Sequence, residues 1–159
     1  VKGSPAVDLE ETIYTIQKSI NAIRLDNEVV KLTTNGLSIN LLGISCTHKP
    51  HEDANILNSL TIDHQLNILL YHSPDLIYEI KPEYKISIML SGHTHGGQIH
   101  LPFIGPLFTG SLYGRQLQSG LYRIHDTLLY ISRGIGLEGL GAPRVRFLCP
   151  PEIIEWKIN

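Results

Sequence analysis

The chain has 159 residues, 42% hydrophobic and 18% charged, which is core material for one globular domain and excludes a disordered or collagenous chain. Thirteen basic against fifteen acidic side chains leave a net charge of -2, so no positive field draws in a polyanion and no nucleic-acid partner is expected. The longest apolar runs, 41–44 and 68–71, fall far short of the roughly 18 residues that a membrane-spanning helix needs.

Two cysteines, Cys46 and Cys149, are too few for a disulfide framework and are expected as reduced thiols. With no basic-then-apolar leader at Val1, a cytoplasmic domain is expected.

Asp8 followed by Glu11 resembles a capping box, and Leu9, Ile13, Ile16, Ile20 and Ile23 recur in steps of four and three, predicting a helix over 9–24. The period then shortens. Strands are predicted over 29–32 and 37–44, joined by an Asn35-Gly36 hairpin turn. The segment 48–60 is polar at its start and helical at its end. Residues 66–71 form an unbroken apolar run that suits a strand buried on both faces and delivers His72 at its C-terminal end.

Ser73 and Pro74 read as the N-cap and first position of a short helix reaching residue 80, because proline there sacrifices no hydrogen bond. A strand over 86–90 follows. The strand-helix-strand order predicts two parallel neighbours, with His72 and His93 together on the edge where open α/β sheets place their sites. Beyond Gly96, strands are expected over 98–100, 120–125, 127–132, 144–149 and 153–158. No repeat or linker divides the chain, so one domain over 1–159 is expected.

The informative segment is GHTHGGQIH, residues 92–100. His93 and His95, two apart, share one side of an extended strand or tight loop. Gly92, Gly96 and Gly97 remove bulk, so that the backbone can bend around something compact. A metal ion fits, since neutral imidazole is a common ligand of transition metals. His72 at the neighbouring strand end strengthens that reading against an incidental glycine-rich turn.

YHSPD at 71–75, SGHTHGGQIHLPFIGPLF at 91–108, SGLYRIHDTLLYISRGIG at 119–136 and VRFLCPPEI at 145–153 together resemble the C-terminal half of a calcineurin-like metallophosphoesterase. The likeness is greatest to a bacterial membrane-associated branch and covers residues 25 to the end. It implies an α/β fold: half of a two-sheet sandwich with helices outside. It implies that His72 and His93 are ligands of one divalent metal and His95 of a second, with manganese expected and zinc or iron as alternatives. Between two such ions a bridging water or hydroxide would attack phosphorus. The implied substrate is a phosphoester or a nucleotide-linked lipid, with UDP-2,3-diacylglucosamine of lipid A synthesis as one specific candidate, and peripheral membrane contact is a corollary.

The sequence also departs from the family. The motifs DxH, GDxxD and GNHD, which supply the bridging aspartate, further ligands and the histidine that protonates the leaving group, do not occur in it. The predicted first helix resembles the one that follows GNHD, so the chain is expected to begin just downstream of that motif and to need the N-terminal half of its domain as partner. No catalytic residue is identifiable here, and the fragment alone is expected to bind metal weakly and to be inactive. The alternative is a catalytically silent domain that binds a metal or a partner.

Other features carry blander expectations. Cys46, His48, His51, Glu52 and Asp53 are metal-like letters, but they cluster in one loop without the spacing of a tetrahedral zinc site. They are expected as a polar loop near the rim of the active site. His64, His100 and His125 are expected at the surface or in hydrogen bonds, with His100 nearest the pocket, and Cys149 in the core. Phe103, Ile104, Leu107 and Phe108 are expected to cover the sheet or a neighbouring loop, the sharper alternative being an apolar wall or membrane-facing lip for an acyl substrate. Arg115 and Arg133 could grip phosphate, though surface salt bridges explain them as well.

Overall fold

The computed structural model describes residues 9–34, 36–60, 62–63, 65–139 and 143–158. Asp8 of the capping box, Asn35 of the hairpin turn and His64 lie outside the described residues.

The α/β class expected from the sequence holds. After α1 (Leu9–Ile20) come β1 (Glu28–Thr34), β2 (Leu37–Gly43), α2 (Pro50–Ala54), β3 (Leu66–Leu70), β4 (Ile88–Ser91), β5 (His100–Leu101), β6 (Gly105–Pro106), β7 (Gly120–Ile124) and β8 (Thr127–Ile131). One six-stranded sheet runs in the order β1-β2-β3-β4-β8-β7, and β5 pairs with β6 in a small sheet of its own. β2, β3, β4 and β8 are parallel, while the outer strands β1 and β7 are antiparallel to their neighbours. The C-terminal ends of four strands therefore share one edge.

Register ties the core together. Leu42, Leu69, Met89 and Leu129 pair in one row across β2, β3, β4 and β8, and all four are fully buried. Each such side chain contributes about 1.5 to 3 kcal/mol by leaving water. Their cluster includes Leu57, Leu76, Ile77 and Leu117 from the connecting segments, so these segments cover that face of the sheet. At the opposite end of the strands, Asn40 and Asn67 are in register and wholly buried. Asn40 Nδ2 donates to Asn67 Oδ1 at 2.7 Å, and Asn67 Nδ2 donates to the carbonyl of Lys85 at 2.9 Å.

Ser73 caps the segment after β3 as expected, its hydroxyl accepting from the Asp75 amide, but the segment Pro74–Glu79 is a 3-10 turn rather than an α-helix. The predicted strands 144–149 and 153–158 do not form. Residues 144–149 make only a single bridge, Ile99 to Phe147. The Arg146 guanidinium, bound to carbonyls of other loops, holds that stretch, while Pro150 and Pro151 have no N–H to offer a ladder. The tail is anchored by Glu152 and by Trp156, whose ring meets Tyr130 edge-on at 5.4 Å. No helix among the described residues is long and apolar enough to cross a membrane.

Candidate metal centre

Four parallel strands deliver four loops to one edge. β2 leads into Ser45–His48, β3 into His72, β4 into His93 and His95, and β8 into Arg133. The ring centroids of His72 and His93 lie 5.0 Å apart, so the upstream histidine and the first histidine of the glycine-rich loop meet as the sequence implied. His95 makes no ring contact with this pair among the described residues. Its ring faces Gly136, where a Cβ would stand 3.6 Å from Cε1.

The loop 93–98 is bent hard. His93, His95, Gly96, Gly97 and Gln98 all have positive φ, a conformation that costs non-glycine residues free energy and that recurs at functional sites. Close approach explains two of the glycines. A Cβ on Gly96 would stand 2.7 Å from Arg133 Cγ and 2.8 Å from Cys149 Sγ, and one on Gly97 would stand 2.6 Å from the Phe108 carbonyl oxygen.

Arg146 is the clamp that holds this bend. Its Nη1 donates to the His95 carbonyl at 3.0 Å, and its Nη2 donates to the carbonyls of Arg133 at 2.7 Å, Gly136 at 2.8 Å and Gly134 at 3.2 Å. Cys149, buried as expected, adds an Sγ bond to the same His95 carbonyl at 3.4 Å. Arg133 is engaged by Glu152, with Nε to Oε2 at 2.9 Å, so this guanidinium is committed to an internal bridge. Arg115 donates to the Ile104 carbonyl. His100 Nε2 donates to the Gly96 carbonyl, making it a brace of the loop rather than a ring aimed at the pair.

Burial biases the central imidazoles towards the neutral form. Partial burial holds His72 below the usual histidine pKa, and the neighbouring rings of His93, His48 and His95 lower it further. His93 is lowered by burial and by His48, partly offset by its hydrogen bond to Gly110. Because a carbonyl only accepts, that 3.3 Å contact places the proton on His93 Nε2 and leaves the lone pair on Nδ1. Asp75 secures the loop that carries Gly110. It accepts from the Leu112 amide at 3.1 Å and from the hydroxyls of Ser73 and Ser111.

The sequence reading missed His48. Its ring centroid lies 4.9 Å from that of His93 and 5.9 Å from that of His72. The apolar run of β2 would have pointed to it once β2 and β3 were known to be parallel neighbours, since both strands then end on one edge. Of the rest of that loop, His51 turns away to bond Glu79 at 3.0 Å. Asp53 is buried, and although burial favours its neutral form, hydrogen bonds from Thr47 and Tyr71 hold its carboxyl below the usual range.

Neutral imidazoles are donors that suit divalent transition ions, and the buried Nδ1 of His95, which has no hydrogen-bond partner, is a nitrogen of that kind. By donor chemistry the residues fit such an ion. Among the described residues, no group of three or more His, Cys, Asp or Glu side chains is poised around one point as it stands. Beside the histidines lies a cavity of about 520 Å³ between His93 and His95 on one side and Ile99, Leu107 and Phe108 on the other. Phe103, Ile104, Leu107 and Phe108 are all exposed, contrary to the expectation that they cover the sheet or a neighbouring loop.

Comparison with known proteins gives the same direction. The metallophosphoesterase YkuE of Bacillus subtilis is 44% identical over 91 residues, 57% of this chain and 30% of the relative. A second B. subtilis metallophosphoesterase, YkoQ, is 33% identical over 135 residues, 82% of this chain and 47% of the relative. The UDP-2,3-diacylglucosamine pyrophosphatase LpxG of Chlamydia muridarum is 38% identical over 95 residues, 54% of this chain and 27% of the relative. The chain thus spans less than half the length of these relatives. No family model and no solved structure matches it. These similarities to metallophosphoesterases, together with the α/β sheet, identify the chain as a C-terminal region of a calcineurin-like metallophosphoesterase.

Proposed function

We propose that the protein is a phosphohydrolase that works with divalent metal ions, this chain supplying His72 and His93 to one ion and His95 to another. The observation that carries the reading is the delivery of these imidazoles to one sheet edge, with the rings of His72 and His93 5.0 Å apart and both pKa values lowered by burial. Bound divalent ions would supply Lewis-acid stabilisation of the charge that builds on phosphoryl oxygens. The chain itself orients the donors: Gly110 sets the His93 tautomer, and Arg146 fixes the backbone of His95. Manganese is the expected metal, with zinc or iron as alternatives.

A lipid-linked pyrophosphate, UDP-2,3-diacylglucosamine, is the specific substrate that this reading favours. It is supported by the likeness to LpxG and by the apolar wall of the 520 Å³ cavity beside the histidines. Phe108, which lines that cavity, and Phe103 are both largely exposed and suit an acyl chain or the membrane surface that holds it.

The test is an assay of the full protein with manganese on a soluble aryl phosphodiester and on UDP-2,3-diacylglucosamine. Turnover that is abolished by chelation and by His93→Asn is expected, and absence of hydrolysis with manganese, zinc or iron refutes the reaction. Phe103→Ser with Phe108→Ser is expected to lower turnover of the lipid substrate alone, and unchanged turnover of both substrates retires the lipid assignment.

A further inference from the structure

Gln98 belongs to the glycine-rich segment that carries His93 and His95, yet the function proposed above gives it no part. We infer that Gln98 is a positioning residue of the substrate cavity. Its side-chain amide holds Glu138 and Pro143 in place as one wall, and so sets the affinity for a substrate whose lipid part fills the space. The inference rests on the reading of the cavity of about 520 Å³ as the seat of that lipid part.

The amide is committed to that wall. Oε1 accepts from the Glu138 amide at 2.5 Å, and Nε2 donates to the carbonyls of Glu138 at 3.2 Å and Pro143 at 3.4 Å. Bonding both the N–H and the C=O of Glu138 copies the two-bond pair of an antiparallel ladder, with a side chain in place of a strand. Both N–H groups of the amide are thereby used, so Gln98 has no donor to offer a ligand. Gln98, Glu138 and Pro143 all line the cavity, as do Leu107 and Phe108. The two threonine hydroxyls of the lining are bonded to backbone as well, Thr94 to the Gln118 carbonyl at 2.5 Å and Thr109 to that of Gly114 at 2.8 Å. An apolar group can therefore enter without stripping the amide or these hydroxyls of a partner.

The backbone supports the same assignment. Gln98 is buried and has a φ of 50°, a conformation that costs glutamine free energy and persists only where the surroundings fix it. Here they do: the Gln98 carbonyl accepts from the Phe147 amide at 2.8 Å, and the far end of the side chain is pinned at Glu138. Arg146 holds the same segment at the carbonyls of Arg133, Gly134 and Gly136. The wall is thus anchored twice, near His95 at Gly136 and at the cavity by Glu138.

Gln98→Asn keeps an amide and tolerates positive φ, but ends one methylene short of Glu138. Steady-state assays of the full protein with manganese, on UDP-2,3-diacylglucosamine and on a soluble aryl phosphodiester, separate KM from kcat. For the lipid substrate KM is expected to rise by on the order of 10-fold, the factor of about one net hydrogen bond, with kcat changed by no more than about threefold. The rise for the aryl diester is expected to be the smaller. Hydrogen exchange of the metal-free protein reads the staple without turnover: the Glu138 amide should be protected in wild type and exchange faster in Gln98→Asn. If circular dichroism shows Gln98→Asn unfolded, Gln98→Glu replaces it. That variant keeps an acceptor for the Glu138 amide, loses both donations, and is expected to show the same rise in KM. An unprotected Glu138 amide in wild type overturns the staple whatever the variants do. In a folded variant, an unchanged KM, an equal rise for both substrates or a fall confined to kcat overturns the role of Gln98 and leaves the phosphohydrolase reading standing. Wild-type protein that turns over the aryl diester alone overturns the lipid assignment and this inference together, and protein that turns over neither overturns the phosphohydrolase reading as well.

Discussion

Removal of the Arg146 guanidinium should unfasten the histidine loop and lower the melting temperature of the protein. This side chain donates to five carbonyls, those of His95, Arg133, Gly134, Gly136 and Cys149, at 2.7 to 3.4 Å. Hydrogen bonds to a charged donor are worth about 1.5 to 3 kcal/mol each, but they are not additive here, since carbonyls near solvent regain water. Counting two as irreplaceable, and setting against them the relief of the buried, unpartnered Nε, leaves a loss of about 3 kcal/mol for Arg146→Met. At about 2 to 4 °C per kcal/mol in a protein of this size or larger, the melting temperature should fall by about 10 °C. Arg146→Lys keeps the charge and loses the planar fork, so its loss should be intermediate. Melting of metal-free protein by calorimetry gives the answer. If both variants melt within 2 °C of wild type, the clamp assigned to Arg146 is wrong.

Gly96→Ala adds a Cβ against Arg133 and Cys149 at a φ of 64°, and should cost about 2 to 4 kcal/mol in denaturant unfolding. Gly114→Ala has positive φ but open space, so it should cost only the backbone part, and equal losses would refute the packing argument. The Glu152 carboxyl is held below its ordinary value of 4.5, because hydrogen bonds and charge from Arg133 outweigh the effect of burial. A depressed carboxyl contributes stability above pH 4.5 and loses it as the pH falls through the folded value. Glu152→Gln should therefore be less stable by about 2 kcal/mol at pH 7 and show a flatter loss between pH 5 and 3, as read by urea melts at each pH.

The sheet was legible where local pattern and burial agree. The unbroken apolar run of β3 and the Ser73-Pro74 start signal gave the parallel β3–β4 pair, and with it the meeting of His72 and His93. The failures have a common physical origin in long-range partners. Residues 144–149 carry the alternation of a strand, but Arg146 finds its acceptors in loops that are distant in sequence, and this bonding replaces a ladder. His48 looked like part of a polar loop because nothing local shows that β2 ends beside β3. Asp53, which accepts from Thr47 and Tyr71 and so ties both loops together, was one letter of that same polar loop, and nothing local shows its partner on β3's end. The apolar face predicted for the first helix exists in sequence, yet Ile16, Ile20 and Ile23 remain exposed among the described residues.

The most direct test is a crystal structure of the full protein grown with zinc or manganese, with the ions located by anomalous scattering. The account predicts one ion bonded to ring nitrogens of both His72 and His93, at about 2.0 to 2.3 Å, and a second ion bonded to His95. Ions bound elsewhere, with the three rings left uncoordinated, would contradict it.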